Sequence, residues 1–346
     1  MRVPKAKNNT GERHLRMIDQ HNRDINYLRV SVTDRCNLRC KYCMPKEGLS
    51  HIGHNDILRY EEILRVVRGG VRMGISKVRI TGGEPLVRLG IVDFVARLKS
   101  IPGLMDISLT TNGILLEQFA ADLFAAGMKR INVSVDSLSN EKYAGITRGG
   151  NLNKVLAGIR EADRIGFAPI KINTVAIKGF NDDEILSFAE HTIDKPYQIR
   201  FIELMPLGLA GSDNNGKYLS NDRVMDIIRQ IYPLETVNGS GGKSDGPASL
   251  YRIAGGRGTI GFISPMSHHF CHACNRLRLT ADGHLRACLL LDEEVDLKKP
   301  LRDGCSDRDL EVLISQAVAK KPLGHTMIKD ERHLRKCVKE MATIGG

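Results

Sequence analysis

Tryptophan is missing from these 346 residues, and all aromatic residues together make up only 5%. A protein that grips nucleic acid by stacking bases needs such rings, so their scarcity argues against that class before any motif is read. Long apolar runs are missing too: no stretch could cross a bilayer as a helix, and the N-terminus MRVPKAKNNTGERH is polar where a secretory signal is apolar. A cytoplasmic protein is expected, with neither nucleic acid nor membrane as partner. In a reducing compartment the eight cysteines are not expected to form disulfides.

Negative charge is also in short supply, with 40 Asp and Glu against 51 Lys and Arg, a net charge of +11. Residues 1–50 hold eleven basic and five acidic side chains. The imbalance points to an anionic partner, and with aromatics scarce a phosphorylated small molecule is the better candidate. At 42% hydrophobic residues the composition is globular. The length favours one large α/β domain with a smaller one appended.

Short β-branched runs alternate with amphipathic stretches of helical length. The runs fall at 28–33, 77–81, 105–110, 130–135, 170–177 and 198–204, and helical stretches include 61–73, 118–126 and 222–231. Six β/α units give a parallel sheet, doubly wound or curled into a full or partial barrel, with ligands at the C-terminal strand ends. Polar loops do cluster there: TDRC, TGGEP, TTNG and SVDS each follow a predicted strand. The segment VNGSGGKSDGPAS reads as a linker and sets a domain boundary near residue 240. Its GGKS at 241–244 imitates the end of a phosphate-binding loop, but Val237 stands where the first glycine belongs and Pro247 follows, so a flexible loop is expected.

Each cysteine group lacks a fourth member. Cys36, Cys40 and Cys43 follow the first strand, and Cys271, Cys274 and Cys288 lie beyond the linker. Zinc could complete the first with His51 or His54, and the second with His268, His269, His272 or His284. An iron–sulfur cluster is the alternative, since three thiolates can hold three irons and leave the fourth open. Beside the second group, Arg276 and Arg278 share a face of an extended segment, like a pair of phosphate clamps.

The spacing CxxxCxxC with Tyr42 before the last cysteine, followed by GGEP at 82–85, resembles the radical S-adenosylmethionine (SAM) superfamily. With ITGGEPLVR, TTNG, FIELMP, CNRLRLTADG and the terminal Gly-Gly, residues 17–346 resemble the GTP 3',8-cyclase family of molybdenum cofactor biosynthesis. The resemblance implies an incomplete (β/α)6 TIM-type barrel over 24–240, after a partly disordered basic segment, 1–23. A C-terminal region, 241–346, closes the barrel and carries a second cluster. It implies two 4Fe–4S clusters on the two cysteine trios. SAM contacts come from Tyr42, Gly82, Gly83, Ser134 and Met205, with Glu84 fixing the GGEP turn. GTP contacts come from Arg29, Arg79, Thr110, Lys171, Arg276 and Arg278, with Lys77 and Arg200 in the same cavity. Gly345 and Gly346 would thread into the active site.

The implied reaction begins when an external electron donor reduces the first cluster. A 5'-deoxyadenosyl radical from SAM takes hydrogen from C3' of GTP, that carbon attacks C8, and a further electron and proton give 3',8-cyclo-7,8-dihydro-GTP. The implied consumer of the product is a cyclic pyranopterin monophosphate synthase. Monomer and homodimer both remain open, and Cys305 and Cys337 are read as ordinary thiols. Two other classes compete: a radical SAM enzyme that modifies peptides with an auxiliary cluster, and a zinc-stabilised nucleic-acid binder.

Overall fold

A computed structural model describes residues 5–7, 13–207, 216–237, 246–324 and 341–345. The GGKS loop, Cys337, Gly346 and most of the first twelve residues lie outside that set. Near the N-terminus, β1 (Lys5–Lys7) pairs antiparallel with β2 (Arg13–Leu15). Met17, Asp19, Arg23 and Ile25 are already buried, so the later part of the expected disordered segment packs against the body of the protein.

Six strands form the centre: β3 (Tyr27–Ser31), β4 (Lys77–Thr81), β5 (Asp106–Thr111), β6 (Arg130–Ser134), β7 (Ile170–Ala176) and β8 (Gln198–Glu203). They run parallel in chain order. Strand residues alternate between faces. On β3 this sends Leu28 and Val30 outward into the core beneath the helices and Arg29 inward. The helices α1 (Tyr60–Arg72), α2 (Ile91–Lys99), α3 (Leu116–Ala125), α4 (Asn140–Thr147), α5 (Leu152–Ile165), α6 (Ile185–Asp194) and α7 (Asn221–Arg229) cover the outside. Three starts are capped by side-chain oxygens that accept free backbone N–H groups: Ser139 at α4, Asn151 at α5 and Ser220 at α7.

The remaining strands extend the sheet: β9 (Leu234–Thr236), β10 (Ser249–Ile253), β11 (Thr259–Ile263), β12 (Arg276–Leu279), β13 (His284–Arg286) and β14 (Glu294–Asp296). β11 joins β8 in parallel, and β12 joins β3 in parallel at the opposite edge. Eight parallel strands therefore run in the order β12-β3-β4-β5-β6-β7-β8-β11, with antiparallel strands only at the margins. This is an incomplete TIM-type barrel, and a single sheet passes across the expected boundary near residue 240. The C-terminal helices α8 (Lys298–Arg302) and α9 (Asp307–Ala319) return to α1, where Arg302 bonds Glu62 and Arg72 bonds Glu311. Among the described residues no helix is long and apolar enough to cross a membrane.

Candidate active site

The inward faces of the strands enclose a cavity of about 320 Å³ whose wall includes both cysteine trios. Arg29, Arg79, Thr110, Ser134, Arg200, Met205, Arg276 and Arg278 all line it. Strand register puts Arg278 opposite Arg29 and Arg29 opposite Arg79, so three guanidinium groups form one row across β12, β3 and β4. Neighbouring parallel strands lie about 4.8 Å apart, so facing like charges repel strongly. Burial, with help from Arg278 and Arg79, pulls the Arg29 pKa well below its ordinary value. Burial and the neighbouring Arg276 bring Arg278 down to about 10. Among the described residues the cavity wall carries one carboxylate, Asp136.

Such a row is costly without an anion, and planar guanidinium forks match phosphate oxygens. Buried polar atoms facing the same space fit a polar ligand: Thr81 Oγ1, Thr110 Oγ1 and Asn173 Oδ1 have no hydrogen-bond partner among the described residues. Lys77 and Lys171 share the inward parity of Arg79 and Asn173 but sit lower. They line a small adjoining cavity of about 20 Å³ together with Asp106 and Arg130. The two lysines thus lie beneath the main cavity rather than on its wall.

The first trio sits on a loop held mainly by backbone. The Cys43 N–H donates to the Cys40 carbonyl at 2.9 Å, and the Arg39 and Lys41 N–H groups donate to carbonyls at the end of α4. Arg39 reaches the Cys36 carbonyl at 2.6 Å, and Arg148 spans the Arg39 and Met44 carbonyls. The GGEP turn lies flat against this loop: a Cβ on Gly82 would stand 2.4 Å from the Thr33 carbonyl oxygen, and one on Gly83 2.4 Å from that of Arg35. Only glycine allows that approach.

Glu84 does not reach the cavity wall. Its carboxyl accepts from the Leu86 and Asn112 N–H groups and from Thr111 Oγ1, fixing the turn from behind. Burial pushes its pKa up to about 7. Tyr42 lines the cavity and donates to Asp136 Oδ2 at 2.6 Å, while Asp136 Oδ1 accepts the Val175 N–H. Asp136 lies in the SVDS loop singled out in the sequence, but its part in orienting Tyr42 is visible only in three dimensions.

At the second trio, a 3-10 turn over Cys271–Ala273 leads into β12. Behind it, Arg23 donates to the Cys271 carbonyl at 2.7 Å and is held by Asp19. Lys321 contacts Cys274 Sγ at 3.5 Å. Burial works against a Cys274 thiolate, but Arg276 and Lys321 outweigh it and bring the pKa to about 6. No sequence signal marked Asp19, Arg23 or Lys321, because each matters through a partner far away in the chain.

At its last described residue, Gly345, the tail lies against the strands of the barrel. That glycine follows α10 (Met341–Ile344), and its φ is +78°. A Cβ there would meet Thr81 Oγ1 at 2.4 Å, and its carbonyl accepts from Arg278 at 2.6 Å. Ile344 anchors the turn in an apolar cluster with Leu207 and Leu290.

Among the described residues no group of three or more His, Cys, Asp or Glu side chains is gathered closely enough for a single metal ion. Both trios line the cavity wall, and three thiols apiece suit a cluster with one open iron.

A model of the radical SAM superfamily matches residues 30–192, and a model described as Molybdenum Cofactor Synthesis C matches residues 197–327. GTP 3',8-cyclase from Pelotomaculum thermopropionicum is 51% identical over 95% of this chain and 100% of its own length. The enzyme of the same name from Moorella thermoacetica is 50% identical over the same shares. That from Thermodesulfovibrio yellowstonii is 49% identical, again over 95% and 100%.

Among solved structures, SuiB of Streptococcus suis bound to its precursor peptide SuiA matches with a TM-score of 0.58 at 15% identity, over 90% of this chain and 75% of that one. SuiB bound to S-adenosylmethionine matches at 0.56 and 15%, over 80% of this chain and 64% of that one, less than two thirds of its length. At such identity the likeness is one of fold. Radical SAM proteins are built around a 4Fe–4S cluster and SAM, and this chain belongs to that superfamily and, within it, to the GTP 3',8-cyclase family.

Proposed function

We propose that the cavity binds SAM and GTP between two 4Fe–4S clusters and joins C3' of the GTP ribose to C8 of its base. The observation that carries this reading is the row Arg278, Arg29 and Arg79, lying in the same cavity as both cysteine trios. A triphosphate supplies the anion that such a row requires. Arg276, Arg200 and Thr110 extend the binding surface, and Lys77 and Lys171 add positive potential from beneath.

Cys36, Cys40 and Cys43 would hold the first cluster, on the SAM side of the cavity, and Cys271, Cys274 and Cys288 would hold the second, on the GTP side. Tyr42, Gly82, Gly83, Ser134 and Met205 form the SAM side of the cavity, and the Asp136 bond holds the Tyr42 ring in place. Glu84 acts from behind by fixing the turn. When bound, the cluster and SAM supply the one-electron chemistry that removes hydrogen from ribose C3'.

The protein's own share is placement and exclusion of water. The barrel wall fixes the two ligands against each other, and the tail through Gly345 covers Arg278, with Gly346 following. An external electron donor supplies the electrons, one to cleave SAM and one, with a proton, to complete the cyclised product, which a separate synthase consumes. Reduced, reconstituted protein given SAM and GTP deuterated at C3' should yield deuterated 5'-deoxyadenosine. Unlabelled deoxyadenosine would refute the proposed abstraction site.

A further inference from the structure

Lys321 is a buried cation that the reaction as described does not use. Its side chain is 2% exposed and off the cavity wall, behind the second trio. The ammonium donates to the Arg276 carbonyl at 2.8 Å and the Ala287 carbonyl at 2.8 Å, and contacts Cys274 Sγ at 3.5 Å. These three acceptors use all three of its N–H bonds. The first carbonyl lies two residues after Cys274 and the second belongs to the residue before Cys288, so one side chain ties together both segments that carry these thiols.

Its neighbour Arg23 makes an instructive contrast. Arg23 also braces the trio, through the Cys271 carbonyl, but Asp19 lies 2.6 Å from its Nε and neutralises it. Among the described residues no carboxylate comes within ion-pair distance of Lys321. A buried charge is expensive unless something of opposite sign answers it. The nearest group able to carry negative charge is the Cys274 sulfur.

We propose that Lys321 is a positioning residue of the second trio, whose buried positive charge binds that trio's cluster and holds its reduction potential up. This rests on reading Cys271, Cys274 and Cys288 as cluster ligands. Hydrogen bonds and charge next to cluster sulfurs are among the means by which proteins set such potentials. A cation 3.5 Å from a ligating sulfur stabilises the more negative, reduced state.

The test uses the full-length chain with Cys36, Cys40 and Cys43 all changed to Ser, so that bound iron reports on the second trio alone. Lys321→Met and Lys321→Arg are added separately. Iron and sulfide per chain are measured, and the midpoint potential is followed by electron paramagnetic resonance during reductive titration. Lys321→Met should shift the potential downward or lose iron, and Lys321→Arg, which keeps the charge, should stay near the parent. An unchanged potential at full iron content in Lys321→Met overturns the proposal. So does equal loss of iron from both variants. A parent without iron, its Lys321 intact, would instead refute the second trio as a cluster site, and this inference with it.

Discussion

Two cysteine trios of the same composition face one cavity from opposite electrostatic surroundings. At the first, burial drives the Cys36 and Cys40 thiols above their ordinary pKa, and the acidic neighbours Glu84 and Asp136 push the same way. At the second, Arg276 and Lys321 draw Cys274 down to about 6 despite its burial. Three cysteines specify a ligand set, but the surrounding charges decide how much negative charge that set tolerates. The first loop is built from backbone hydrogen bonds and close glycine contacts, and the second is braced by buried cations.

The strongest test of this contrast is to remove a thiol from each side. Cys36→Ser should abolish turnover and the iron of the first cluster. Cys271→Ser should abolish GTP turnover yet leave the first cluster's iron in place, as iron analysis and absorbance would reveal. Loss of both clusters from either variant would mean that the two ends are not independent.

A smaller effect is expected along the arginine row. Arg278→Met should weaken GTP binding by roughly 10- to 100-fold, as expected for about 1.5–3 kcal/mol of charged hydrogen bonding, with SAM binding little changed. Calorimetric titration of each ligand separates the two. Because the change relieves repulsion with Arg29 and Arg276, the ligand-free variant should melt no lower than the parent.

Gly345→Ala forces a Cβ against Thr81 Oγ1 at a backbone φ of +78°. It should reduce turnover while leaving both clusters and the melting temperature nearly unchanged, since only the chain end must move.

The subtlest expectation concerns Glu84. Its folded pKa of about 7 lies above the ordinary 4.5, so between those values the folded state keeps a proton that the unfolded state has lost. Its contribution to stability therefore falls as pH rises from about 4.5 to about 7, by roughly 3 kcal/mol at most. Urea unfolding of cluster-free protein at pH 5 and pH 8 should give a smaller loss of stability with rising pH in Glu84→Gln than in the parent. Equal losses would contradict the assignment.

The six central strands were readable from the sequence to within two residues at either end, because β-branched runs and polar loops mark them directly. Both trios stood out by their spacing, but which way Arg29, Arg79 and Arg200 face was not legible: their link to GTP came only from the resemblance, and it is the structure that turns all three toward the cavity. What escaped was pairing at long range. The Arg-Leu-Arg-Leu of β12 reveals its two faces but not that it docks on β3, some 250 residues earlier. Likewise β11 joins β8 across the linker that suggested a boundary. Lys321 is one of 51 basic residues, and only its three acceptors set it apart. Glu84 was placed in the correct turn, but its distance from the cavity depends on how that turn packs.

The docking of β11 and β12 on opposite edges also bears on how the molecule is made. A chain emerging from the ribosome completes β3 to β8 with both outer edges bare, and the last-made segments must reach them. Until then the growing protein presents two open templates for strand addition, the usual starting point for aggregation. Prematurely terminated chains ending before residue 259 should therefore be lost to aggregates or proteases rather than persist as soluble half-enzymes.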